Sequence, residues 1–192
     1  MSTRPPLWGN FVGYADWDLL SFAWLYEGGL RVPSYYHATQ AVEKYLKALV
    51  LSVLDPDGVT ETPLSQKWIT IHNLDKLAMD CAAQFPFYGQ ADIQAHLKRF
   101  SEFDQAARYP WTEQTLGNGF TSSDVPLLCD FVRRLRTDLP IEVDDYILGM
   151  LLRGHHQGHP ETSANLRSLA EFEGCVAALR RVFPDVDTIV RR

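Results

Sequence analysis

Tyr36-His-Ala-Thr-Gln-Ala-Val-Glu-Lys-Tyr-Leu-Lys-Ala-Leu-Val50 carries the clearest periodic pattern in the 192-residue chain. Tyr35, Ala38, Val42, Tyr45, Leu46, Leu49 and Val53 recur along it at steps of three and four, which is one wide apolar stripe of a helix. Pro33 suits the first turn of that helix, because its ring fixes φ where a helix needs it. Asp55-Pro-Asp-Gly58 then supplies strong turn chemistry at the far end. Glu43 and Lys47 stand four apart in the favourable order and predict an ion pair at the surface.

The same period extends outward in both directions. Trp17, Leu20 and Trp24 predict a preceding helix from about Ala15, stopped by Gly28-Gly29. A polar connection rich in Thr, Pro and Ser is expected up to about Thr70. Leu74, Leu77, Ala78, Cys81 and Phe85 mark a shorter helix that Asn73 is suited to cap. Ile93, Leu97 and Phe100 mark a fourth, running from about Gln90 to before Pro110, and Leu128, Phe131, Leu135 and Leu139 a fifth, started by Ser122 or Ser123. Beyond the boundary at Pro140, Ile147, Met150 and Leu151 predict a short helix, and Leu169, Phe172, Val176, Leu179 and Phe183 a last amphipathic one. No segment keeps a period of two, so the expected fold class is all-α.

Composition bounds the function. Apolar residues at 46% and charged residues at 22% describe a soluble protein with a core, and 12% aromatic residues supply its large side chains. A net charge of −6 speaks against diffuse, phosphate-driven binding to nucleic acid and leaves room for a local basic groove. No apolar run reaches the ~20 residues of a membrane span, and the start lacks the apolar stretch of a secretory signal. Cys81, Cys129 and Cys175, odd in number and far apart, read as reduced thiols of a cytoplasmic protein. No phosphate loop, dinucleotide fingerprint, GxSxG or HExxH motif is present, and no cofactor is expected.

Three stretches in order resemble the HEPN family of nucleotide- and RNA-associated helical bundles. Gln40-Ala41 followed by Glu43-Lys44 and Leu46-Lys47-Ala48 is similar to its second-helix pattern. His72-Asn-Leu-Asp-Lys-Leu77 is similar to its His-polar-Leu motif, and Ala107-Arg-Tyr-Pro110 to the Arg-Tyr-Pro that ends its fourth helix. The resemblance implies an up-and-down bundle of four or five helices over residues 15–139, commonly a homodimer, with residues 140–192 as a helical extension packed on it. It also implies a nucleotide or RNA ligand, and a minimal nucleotidyltransferase as partner protein in a toxin–antitoxin type of system.

Some HEPN proteins are metal-independent ribonucleases, with an Arg and a His four to six residues apart. A histidine can activate the ribose 2′-hydroxyl while arginine stabilises charge building on the phosphate. Arg31 with His37, and Arg153 with His159, match that spacing, but neither pair lies in the later helices where the resemblance would put it. The first function expected is therefore noncatalytic binding of nucleotide or RNA by Lys44, Lys47 and Arg108, with Tyr109 stacking on a base. A ribonuclease toxin and a purely structural dimerisation module are the alternatives.

Each of these residues also has a plain structural reading. Lys44 and Lys47 also read as a solvated flank whose stems cover the core edge. Arg108 is suited to bond carbonyls at a helix end, and His72 to cap a helix start or bond nearby backbone. Arg133, Arg134 and Arg136 form the densest basic run, either a solvated face or the best local patch for RNA. His156 and His159, near His155 and Glu161, would approach one metal ion only if the Gly154–Pro160 segment were helical. Its glycines and proline read as a loop, and no metal is expected.

Overall fold

The computed structural model describes residues 6–58, 62–108, 121–141 and 169–186, with the backbone alone at 63–64, 104–108 and 169–173. Among the described residues there are seven α-helices and no strand. They are α1 (Leu7–Glu27), α2 (Arg31–Leu54), α3 (Pro63–Ile69), α4 (Leu74–Ala82), α5 (Ala91–Arg108), α6 (Val125–Asp138) and α7 (Leu169–Val182). The expected all-α bundle is what forms.

Helix α2 is the central element, packing against α1, α3, α4, α5 and α6. Val42, Tyr45, Leu46 and Leu49 are fully buried. The stripe runs out at its C-terminal end, where Val53 and Leu54 are exposed. Helices α1 and α2 form an antiparallel pair around Gly28 and Gly29, and Gly29 takes a φ of 78°, a left-handed conformation that costs glycine nothing. At the other end of the pair, the Trp8 indole donates to the Pro56 carbonyl at 3.0 Å. The Leu7 amide donates to Gly58. These bonds order the chain well before Ala15, so α1 begins eight residues earlier than its apolar spacing predicts.

Helix α3 replaces part of the expected polar connection. Thr62 and Ser65 make a reciprocal capping box, and Pro63 occupies the first turn, so the Thr, Pro and Ser that read as loop composition are helix-start chemistry. Asn73 caps α4 by accepting from the Lys76 amide, as expected. The Ser101 hydroxyl accepts from the Leu74 amide, tying α5 to the start of α4. A single 3₁₀ turn at Ser122–Asp124 leads into α6.

Helix α7 packs on α1. Phe183 meets Phe22 edge-on at 6.0 Å, and Val176, Leu179 and Phe183 are buried. A Cβ at Gly174 would lie 2.8 Å from the Trp24 ring, so glycine is what lets the indole lie against α7. The expected helix around Ile147, Met150 and Leu151 lies outside the described residues.

Candidate functional site at the α1–α2 seam

His37 and Lys44 are seven positions apart on α2, two full turns, which sets them on one stripe about 10 Å apart along the axis. Asp18 of α1 faces the middle of that interval. Its Oδ1 accepts from His37 Nδ1 at 2.8 Å and its Oδ2 from Lys44 Nζ. The three side chains are 13%, 31% and 25% exposed for Asp18, His37 and Lys44, so the cluster is formed at the surface of the bundle and open to a solute. Bonding of Nδ1 to the carboxylate fixes the imidazole ring and turns Nε2 away from it. The Tyr36 ring stands edge-on beside the imidazole, 5.5 Å between centroids. Chemically the cluster offers one ammonium and one oriented imidazole, with their shared carboxylate beneath.

Two other carboxylates organise α2. Glu43 Oε1 accepts from Lys47 Nζ at 2.8 Å and lies 3.0 Å from His72 Nδ1. Lys47 also donates to the Ile69 carbonyl at 2.7 Å. The Glu43–Lys47 pair forms, but as a buried one: both side chains are 4% exposed, because the end of α3 covers them. Lys47 is therefore neither a solvated flank nor open to a phosphate. His72 does not cap α4, a role Asn73 holds, and spends its Nδ1 on Glu43 instead.

The third carboxylate, Asp16, is fully buried and accepts from the Tyr45 hydroxyl and from Arg136 Nη1, which also donates to Tyr45 at 3.0 Å. Burial pushes the Tyr45 phenol well up from its ordinary range, and the Asp16 charge adds to it. This network joins α1, α2 and α6 inside the core.

The basic run on α6 is consequently not a patch. Arg136 points inward, 4% exposed. Arg133 pairs with Asp130 and Asp185, and Arg134 donates to Asp138 at 2.7 Å while lying over the Phe87 ring. Helical spacing sends the three arginines to different faces, and each meets an acid there. Arg31 and His37 fail to converge for a related reason: six positions on a helix leave them about 120° apart around the axis. The Arg31 guanidinium lies 3.7 Å over the Tyr26 ring.

No family model, curated protein or solved structure matches this chain.

Of the remaining sequence candidates, Arg108 ends α5 with its side chain outside the described residues, where Tyr109, Arg153, His156 and His159 also lie. Among the described residues no group of three or more potential ligands is arranged to hold a metal ion. No described helix is long and apolar enough to cross a membrane. Asp18 is the residue that reading the sequence misses. Its signal is the antiparallel pairing about Gly28-Gly29, which puts position 18 opposite the interval from 37 to 44.

Proposed function

We propose that this chain is a noncatalytic, HEPN-like helical bundle that binds a nucleotide or RNA phosphate at the α1–α2 seam. The observation that carries this reading is the surface cluster in which Asp18 holds His37 and Lys44 side by side. The Lys44 ammonium is a charged donor for phosphate oxygens, and the His37 imidazole, two turns away on α2, converges beside it on the same carboxylate. Lys47 is buried against Glu43, and Arg133, Arg134 and Arg136 each meet an acid of α1, α6 or the C-terminal segment, so none of them adds to this site. Arg108 and Tyr109 belong to the same proposal as further contacts.

The family resemblance adds a homodimer, a minimal nucleotidyltransferase partner and a toxin–antitoxin setting. The buried thiols of Cys81 and Cys129 agree with a cytoplasmic location. The experiment is a titration of the chain into a fluorescent nucleotide and a fluorescent short RNA at low and high salt. Binding that weakens with salt, and that Lys44→Gln reduces, supports the reading; no binding at high micromolar chain would sink it.

A second reading, a metal-independent ribonuclease, draws on the Asp18-oriented imidazole of His37, the arrangement of a general base. It requires RNA cleavage in EDTA that His37→Gln abolishes. Intact RNA after long incubation with the unmodified chain would remove it.

A further inference from the structure

Tyr14 is the most exposed aromatic among the described residues, at 64%. It makes no hydrogen bond, ion pair or ring contact among them. It stands four positions before Asp18 on α1, so the two side chains are neighbours on one helical face. The antiparallel pairing orients this face. Asp16 meets Tyr45 and Asp18 meets both His37 and Lys44, so one turn back along α1 corresponds to one turn forward along α2. Tyr14 therefore lies along the seam on the Lys44 side of the cluster, and Tyr36 lies on the His37 side.

A phenol ring presented to solvent about 6 Å along α1 from the carboxylate that holds Lys44 and His37 stands beside those two groups, where the base of a nucleotide bound there by its phosphate would lie. Every base has a π face, so a ring in this position takes an unpaired base whatever its identity. It stands on the convex face of a helix. A base already stacked in a duplex is closed to it.

We propose that Tyr14 is a stacking platform for one unpaired base whose phosphate is held by Lys44 and His37, so that the ligand class is single-stranded RNA or a free nucleotide rather than duplex. This rests on the binding role proposed above for the Asp18 cluster. Asp18 tempers the site, since it pairs with the Lys44 ammonium and occupies His37 Nδ1.

The test is fluorescence anisotropy with a labelled, unstructured oligouridine and with a labelled duplex of equal charge, run on the full chain alongside Tyr14→Ala, Tyr14→Phe and Lys44→Gln. Competition by pyrophosphate reads the phosphate site alone. The expected result is preference for the single strand, a loss on the order of ten-fold in Tyr14→Ala, and near-complete retention in Tyr14→Phe. Pyrophosphate competition should be unchanged by the tyrosine variants and weakened by Lys44→Gln. Equal single-strand affinity in Tyr14→Ala, with Lys44→Gln still weakened, would overturn the stacking role and leave the phosphate site standing. Tyr14→Ala converting a dimer to a monomer without altering RNA affinity would assign the ring to a contact between copies instead, and would also overturn it. Absence of any oligouridine or pyrophosphate binding by the unmodified chain would remove the phosphate site and this inference together.

Discussion

Asp16 and Asp18 sit two residues apart on α1 and do opposite work. Asp16 points into the core, where Arg136 and Tyr45 both donate to its carboxylate and offset the cost of burying it. Removing the guanidinium strands a buried charge, so Arg136→Ala is expected to cost ~3–5 kcal/mol by urea unfolding. A cost below ~1 kcal/mol would mean that water reaches Asp16. Asp18 points to the surface and organises His37 and Lys44 instead. Cys81 reports the interior from another side. Burial first, then Asp80 and Asp138, pushes its thiol from 9.0 up to about 12. The folded chain keeps this proton where the unfolded chain has lost it, so the thiol's contribution is complete below pH 9 and drains away as pH rises toward 12. The urea midpoint should fall between pH 9 and about 10.5, and fall less in Cys81→Ala. Parallel curves for the two proteins would contradict the burial.

At the scale of elements, the apolar period of α2 was legible because a helix buried along most of its length must repeat its contacts every turn. Leu46→Ala should accordingly cost ~2–5 kcal/mol, and a loss under ~0.5 kcal/mol would mean the stripe is misassigned. Helix α3 was not legible, since a capping box and a loop draw on the same Thr, Pro and Ser. The start of α1 was missed for a different reason. Its tie to Pro56 and Gly58 joins residues about fifty positions apart, beyond any local window. The site suffers from the same distance effect. Lys44 was visible as a basic residue, yet only pairing across the Gly28-Gly29 turn brings it to Asp18 and His37. The burial of Lys47 and of Arg136 comes likewise from elements remote in sequence, and a run of like charges on one helix says nothing about it.

For the whole molecule, apolar surface is left over. Tyr14, Trp24, Leu30, Val32, Val53, Leu54 and Met79 remain exposed. Leu30 with Val32 at the start of α2, and Val53 with Leu54 at its end, are two separate apolar spots available to a partner copy. The expected homodimer would bury at least ~1,000 Å² in total, with each contact repeated in reverse by the two-fold axis. Light scattering should give twice 21.8 kDa, unchanged by reducing agent because the thiols at Cys81 and Cys129 are buried. A monomer at tens of micromolar would contradict it.

The account turns on whether the α1–α2 seam binds phosphate through the Lys44 and His37 side chains that Asp18 restrains, and a gain of affinity tests this better than a loss, since misfolding cannot mimic it. Pyrophosphate affinity should be measured for the unmodified chain and for Asp18→Asn, with helix content checked by circular dichroism. Freeing Lys44 and His37 from the carboxylate should tighten binding by up to about five-fold, the equivalent of ~1 kcal/mol for a partly exposed ion pair. A well-folded Asp18→Asn that binds pyrophosphate no more tightly than the unmodified chain would contradict the account.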